Sequence, residues 1–128
     1  MSFEVGASMP LRALHRLPWG TEAERQPHAH DYRIEVVIER ERLDDRGVVC
    51  DLDVLRGGLD QVLGRLEGRD LDEILPADAD ADGVTVEILA QWLHGSLAEV
   101  VRQAGGDTLA IRVWEAPDAF GGYRASVT

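Results

Sequence analysis

The stretch HDYRIEVVIERE, residues 30–41, decides the fold class of this 128-residue chain. Its apolar side chains at positions 32, 34, 36 and 38 alternate with charged ones at 33, 35 and 39, broken only by Val37, which is the period of a strand with one buried face. An earlier mixed apolar stretch, Phe3 to Leu14, is predicted to be a second strand. Between them lie a turn-like segment, Pro18 to Thr21, and the charged run Glu22 to Gln26, so the two strands are predicted to be joined by a polar connection.

Two helices are predicted in the middle of the chain. Residues Asp53 to Leu66 carry apolar side chains at helical spacing, although the pair Gly57-Gly58 weakens this pattern. Thr85 occupies the position of a helix N-cap, and the apolar stripe that follows it ends at Gly105-Gly106. An acidic, alanine-rich loop, Ala77 to Gly83, separates the two helices.

Three further strands are predicted from short apolar runs. One, Val48 to Cys50, follows the turn Asp44 to Gly47, and the other two are Thr108 to Glu115 and Tyr123 to Val127. Because long strands and helices are segregated along the chain, the fold class is α+β, with an antiparallel sheet and the helices on one face. The length fits a single domain over residues 1–128.

Composition excludes several kinds of function. The chain has 13 basic and 24 acidic residues and a formal net charge of −11, which argues against nucleic acid or an anionic membrane as a partner. All the basic residues are arginine, so lysine Schiff bases and a P-loop lysine are impossible. No apolar run is long enough to span a membrane, and the N-terminus lacks a signal segment, so a cytoplasmic protein is expected.

Histidine is the candidate metal ligand, because Cys50 is the only cysteine. His28 and His30 are two residues apart at the entry to a predicted strand, so their side chains share a face. A hairpin would bring His15, at the end of the preceding strand, beside them. Three histidines with an open fourth position are typical of catalytic zinc, although an incidental His-x-His near a turn is the alternative. His94, in the polar half of the second helix, is predicted to be a surface residue.

The short sequence motifs around these histidines resemble those of the 6-pyruvoyl- and 6-carboxy-tetrahydropterin synthase family. The resemblance runs through nearly the whole chain in the family's order. The family words are Ala-Ala-His-Arg-Leu, His-Gly-His-x-Tyr, Gly-Met-Val-x-Asp-Phe, Thr-x-Glu-x-Leu-Ala-x-Trp and Val-x-Glu-Thr. The matching stretches here are Ala13 to Leu17, His28 to Tyr32, Gly47 to Leu52, Thr85 to Trp92 and Val113 to Glu115.

The resemblance implies a tunnelling fold, in which two helices cover one side of a four-stranded antiparallel sheet and subunits close into a barrel. It therefore implies a homo-oligomer, for example a hexamer. It also implies one zinc ion on His15, His28 and His30, and a pterin-like ligand gripped by Glu115 with help from Thr85. Glu115 would then face the zinc of another subunit. The alternatives are a solvated charge at a strand end for Glu115 and a plain helix cap for Thr85.

The chain departs from the family where protons are moved. The family's cysteine, a few residues before the His-x-His pair, is absent, and Glu24 stands four residues before His28. The family word Leu-Asp-His-x-x-Leu-Asn matches Leu66 to Asp72, which places Gly68 at the histidine. Cys50 lies in an apolar run and is predicted to be a small core residue. Glu24 is therefore the candidate general base, and Asp70 a weaker candidate.

Two functions remain open within the family, and one outside it. The first is a zinc-dependent lyase that acts on a reduced pterin side chain with altered or reduced activity, in which burial raises the pKa of Glu24. The second is a pterin- or purine-binding protein that has lost catalysis, with Glu24 a solvated residue. The third is an unrelated α+β interaction domain with an accidental histidine triplet.

Overall fold

The computed structural model describes residues 1–75 and 83–128. The predicted acidic loop therefore lies outside the described residues, apart from Gly83. Among the described residues, none of the helices is long and apolar enough to cross a membrane. In chain order, the elements are β1 (Phe3–His15), α1 (Glu22–Arg25), β2 (His28–Arg40), α2 (Leu52–Gly64), α3 (Leu71–Ile74), α4 (Val86–Gln103), β3 (Thr108–Ala116) and β4 (Ala119–Ser126).

The four strands form one antiparallel sheet in the order β1-β2-β3-β4. β1 and β2 are paired along their whole length, from Phe3 opposite Arg40 to His15 opposite His28. The pairing of β2 with β3 begins only at Arg33 opposite Trp114. The connected end of the β1–β2 hairpin therefore extends beyond β3.

The two long helices, α2 and α4, cover one face of the sheet, as predicted. The buried residues of β1, β2 and β3 are spaced two apart on that face, because side chains alternate along a strand. Leu59 and Leu93 supply the matching apolar faces of α2 and α4. The α+β fold with helices on one face is confirmed. The buried strand residues on this face are Leu11 and Ala13 in β1, Tyr32, Ile34, Val36 and Ile38 in β2, and Leu109, Ile111 and Val113 in β3.

The prediction of a strand at Val48 to Cys50 is wrong. The segment pairs with no strand among the described residues. Val49 and Cys50 are nevertheless buried, so Cys50 is a core residue, as predicted. The apolar run fills the core just before Asp51, whose carboxylate accepts hydrogen bonds from the first amides of α2. The run Val48 to Cys50 has the composition of a strand because Val49 and Cys50 are buried in the core, and not because the segment pairs with a strand.

The last strand begins earlier than the predicted Tyr123. β4 already starts at Ala119, and the pair Gly121-Gly122 lies inside it. A Cβ at Gly121 would come 2.4 Å from Cγ2 of Val86 and 2.5 Å from Oε1 of Glu87. The glycine therefore serves the close approach of β4 to the start of α4, and not a turn.

His94 is buried, so its prediction as a surface residue is also wrong. It is 7% exposed. Its Nε2 lies 3.2 Å from the carbonyl oxygen of Ala125, and its ring meets that of Tyr123 edge-on at 5.0 Å between centroids. β4 covers this side of α4, which the local pattern of the helix does not reveal.

Candidate functional site

Three histidines meet at the connected end of the β1–β2 hairpin. His15 and His28 are cross-strand partners, and His30 lies one pair further along on the same face. The ring centroids are 4.5 Å apart for His15 and His28, 4.8 Å for His15 and His30, and 5.0 Å for His28 and His30. One ligand nitrogen from each ring lies within 4.8 Å of the others. The predicted cluster is therefore present.

Main-chain carbonyls fix the tautomer of two of these rings. Nδ1 of His15 lies 2.7 Å from the carbonyl oxygen of Val84, and Nδ1 of His28 lies 2.9 Å from that of Gln26. A carbonyl only accepts, so each Nδ1 carries the proton and donates it. Each neutral ring then presents the lone pair of Nε2, which is the form that binds a metal ion.

Nε2 of His15 is the feature that best fits a metal ion. It is buried and has no hydrogen-bond partner among residues 1–75 and 83–128, and the residue as a whole is only 3% exposed. A buried polar atom without a partner is costly and uncommon. A cation between the three rings would satisfy it, and a set of three imidazoles suits zinc. The residues present therefore fit the metal ion that the family implies.

The surroundings of the third ring, His30, also favour the neutral imidazole. Burial lowers the pKa of His30, and the neighbouring His15 and His28 lower it further. Glu115 and Asp31 oppose this shift only in part. A neutral imidazole is the ligand form, so the surroundings favour metal binding over protonation.

Tyr32 completes the face on which the histidines lie, and sequence reasoning missed it. Its ring centroid is 5.4 Å from that of His30 and 6.3 Å from that of His15. Burial raises the pKa of Tyr32, and the carboxylates of Glu115 and Asp72 raise it further, so the phenol stays neutral. The signal was available, since positions 28, 30 and 32 share one face of a strand.

Glu115 lies at an irregularity in β3, close to its own chain's cluster. Trp114 pairs with Phe120 and Ala116 with Ala119, so the bulge leaves Glu115 without a partner. Its charge acts on both Tyr32 and His30 of the same chain. The expectation that Glu115 faces the zinc of another subunit stays a prediction.

An open cavity adjoins Glu115. Its volume is about 490 Å³, and its lining includes Glu115, Trp114, Arg33 and Asp31. The volume lies in the range of small-molecule sites. Asp31 and Arg33 alternate with His30 and Tyr32 along β2, so the cavity opens on the face of the sheet opposite the histidines.

Glu24 is held in a capping box at the start of α1. Its Oε1 accepts the N–H of Thr21 at 3.1 Å, and its own N–H donates to the hydroxyl of Thr21 at 3.3 Å. These bonds, first from the main chain and then from the side chain of Thr21, lower the pKa of Glu24 and outweigh burial. His28 and His15 lower it slightly more. The expectation that burial raises this pKa is wrong.

The loop that matches the family's second-base motif carries Gly68 in place of the histidine. Gly68 has φ of 71°, and no atom lies within 4 Å of a Cβ placed there. Asp70, the weaker candidate, caps α3, and its Oδ1 accepts the N–H of Asp72 at 3.0 Å. The loop runs beside the end of β1, where Leu14 donates its N–H to the carbonyl of Arg69.

Thr85 is the N-cap of α4, as predicted. Its hydroxyl accepts the N–H of Ile88 at 3.2 Å. It directly follows Val84, whose carbonyl holds His15. The predicted ligand residue Thr85 is thus adjacent in sequence to the residue whose carbonyl accepts the hydrogen bond from His15.

The comparisons with known proteins agree with this fold. A synthase of Plasmodium falciparum has TM-score 0.75 and 15% identity, with 98% of both chains covered. A synthase of Caenorhabditis elegans has TM-score 0.67 and 20% identity, covering 98% of this chain and 97% of the other. A Plasmodium vivax synthase with a catalytic glutamate replaced by cysteine has TM-score 0.72 and 13% identity over 98% of both chains.

These three solved structures are all described as 6-pyruvoyl tetrahydropterin synthases. At such low identities, the likeness establishes the fold. No curated protein gives a significant sequence match. The model of the 6-pyruvoyl tetrahydropterin synthase family, however, matches residues 4–126. That match takes in both strands of the histidine hairpin as well as Glu115. The chain therefore belongs to the 6-pyruvoyl tetrahydropterin synthase family.

Proposed function

We propose that this protein is a zinc-dependent lyase that acts on the side chain of a reduced pterin, with altered or reduced activity. The observation that carries the proposal is the buried Nε2 of His15, which has no partner within the described part of the chain and lies beside His28 and His30. A purely structural histidine would have found a partner for that atom. An open metal position in a family of pterin enzymes points to catalysis at that position.

Zinc on His15, His28 and His30 would polarise a substrate oxygen and make the adjacent C–H more acidic. The chain's own contribution is to hold the rings as ligands. The carbonyls of Val84 and Gln26 orient two of them. Burial and like charges keep the third neutral. We expect one zinc ion per chain.

Glu115 is the proposed anchor for the pterin. A carboxylate can accept two parallel hydrogen bonds from a guanidine-like edge, and Glu115 is free of strand pairing at its bulge. The hydroxyl of Thr85 is the proposed second contact, made in addition to its role as a cap.

Glu24 is the proposed proton acceptor. It lies close enough to His28 and His15 to feel their charge. The Plasmodium vivax synthase also has a glutamate that is described as a catalytic residue. A base works best when its pKa is near the working pH, so a lowered pKa makes Glu24 a weak base. With Gly68 offering no side chain, we expect slow turnover.

The test compares two substitutions on dihydroneopterin triphosphate and dihydroneopterin. Glu24→Gln should abolish turnover and leave pterin and zinc binding intact. Glu115→Ala should abolish pterin binding, measured by calorimetry, and leave zinc in place. Glu22→Gln is the matched control, because Glu22 is in α1 but outside the capping box. Turnover that survives Glu24→Gln would refute the assignment of the base.

A second function is a pterin- or purine-binding protein without catalysis. Two observations favour it, namely the engagement of Glu24 with Thr21 and the glycine at position 68. In that case the wild-type protein binds a reduced pterin through Glu115 and turns over neither substrate. The same assay therefore separates the two functions.

We also propose that the protein is a homo-oligomer that closes its sheets into a barrel and acts in the cytoplasm. β1 and β4 are the two edges of the sheet, and open edges are normally covered. The family supports both parts of this proposal.

A further inference from the structure

We propose that Asp72 is a positioning residue for the metal centre, because it holds the main chain on both sides of His15. The inference rests on the proposed metal site. It concerns a residue in α3, outside the histidine hairpin, which ends the motif Leu66 to Asp72 but had no role assigned to it there.

The carboxylate of Asp72 accepts two main-chain hydrogen bonds. Oδ2 accepts the N–H of Arg16, the residue after His15, at 2.6 Å. Oδ1 accepts the N–H of Val84 at 2.9 Å. The carbonyl of Val84 in turn accepts Nδ1–H of His15 at 2.7 Å. Asp72 therefore fixes both the main chain next to the ligand and the group that orients its ring.

An ionised carboxylate suits this position because it only accepts, and because both of its oxygens are used. Hydrogen bonds to a charged acceptor are about twice as strong as neutral ones. An asparagine could accept only one of the two, and its NH₂ group would face the other N–H. The substitution Asp72→Asn therefore removes one of the two hydrogen bonds without changing the shape of the side chain.

The segments that Asp72 joins cross very closely. A Cβ at Gly83 would lie 2.2 Å from the carbonyl oxygen of Arg16, and Gly83 has φ of 93°. Glycine is thus required where the chain entering α4 passes β1. Such close packing transmits a small shift of Val84 directly to the ring of His15.

Loss of one of these bonds should be visible as weaker metal binding. Outer partners of metal ligands typically contribute about 10–100-fold in affinity. Without its anchor, the peptide of Val84 can rotate, and Nε2 of His15 moves relative to His28 and His30. Asp72 is not a member of the apolar core between α2, α4 and the sheet, so we expect its substitution to leave that core in place.

The experiment compares Asp72→Asn with Glu67→Gln. Glu67 is the matched control, because it accepts a main-chain N–H of β1, that of Arg12 at 3.2 Å, but touches neither neighbour of His15. Zinc affinity is measured on the full-length protein by competition with a chelator, and thermal unfolding on the metal-free form. We expect Asp72→Asn to weaken zinc binding about 10–100-fold and Glu67→Gln to leave it unchanged.

Equal affinity of Asp72→Asn and the wild type would overturn the inference, and so would an equal loss in Glu67→Gln. Failure of the wild type to bind zinc would instead refute the proposed metal centre. If Asp72→Asn does not fold, hydrogen exchange on the wild type decides. Zinc should slow exchange at the amides of Arg16 and Val84 more than at Arg12, and equal slowing at all three would overturn the inference.

Discussion

Two demands meet on the carboxylate of Glu24. As the partner of Thr21 in the capping box, it must stay ionised, and the hydrogen bonds from Thr21 lower its pKa accordingly. As a general base it would work better with a raised pKa. The lowered pKa suits the capping role and makes Glu24 a weaker base, which is why we expect slow turnover.

The pKa of Glu24 can be tested directly by carbon NMR titration of the metal-free protein. We expect Glu24 to titrate below its ordinary value of 4.5 and to move upwards in Thr21→Ala, because the hydroxyl no longer supports the charged form. Since the folded pKa is lowered, the cap stabilises above the unfolded pKa and is lost as pH falls through the folded one. A Glu24 that titrates above 4.5 in the wild type would contradict this.

Single positions differ in how far the sequence could predict them. The spacing of His28 and His30 determines a shared face, so the metal pair was predictable. The capping box of Thr21 and Glu24 was also visible as a Thr-x-x-Glu word. The roles of Val84 and Gln26 were not, because a main-chain carbonyl has no sequence signature. Asp72 was hidden for another reason, since its bonds reach residues distant along the chain.

The start of α4 combines a cap with a proposed ligand contact at Thr85. Thr85→Ala should destabilise the protein by about 0.5–2 kcal/mol and weaken pterin binding. Thr85→Asn should retain the cap and lose only the hydroxyl contact. Chemical denaturation and calorimetry measure the two effects separately. Wild-type pterin affinity in Thr85→Ala would show that Thr85 is a cap alone.

Two glycines near α4 should respond oppositely to alanine. A Cβ at Gly95 meets no atom within 4 Å, so Gly95→Ala should stabilise the helix by about 0.5–1 kcal/mol. A Cβ at Gly106 would lie 2.6 Å from Ile38 and 2.8 Å from Val101, so Gly106→Ala should cost about 1–3 kcal/mol. Urea unfolding of both variants checks the signs, and a stable Gly106→Ala would contradict the packing described.

The helices and long strands followed from periodicity, whereas the short segments did not. The segment Val48 to Cys50 has a strand's composition, but Val49 and Cys50 are apolar because they are buried in the core. The start of β4 looked like a turn because Gly121 and Gly122 are turn residues elsewhere. In both cases the deciding neighbour lies far away in sequence.

The sheet leaves β1 and β4 as edges. β1 contains Pro10, a residue tolerated at an edge because it has no N–H to pair. We expect light scattering to give a mass several times the 14.1 kDa of one chain. The same measurement after removal of zinc shows whether assembly depends on the ion, because His15 lies in the edge strand β1. A stable monomer at working concentration would contradict the barrel.

All three proposed ligands come from one hairpin, and this has a consequence for the order of folding. His15 and His28 are directly opposite each other where the strands are connected. A bound ion would therefore cross-link the two strands across the connection formed by residues 16–27. Contacts close in sequence form early and cheaply. Zinc should therefore capture the hairpin before α4 docks and accelerate refolding. Stopped-flow refolding with and without zinc measures this, and rates that do not depend on zinc would show that the ion enters only the finished protein.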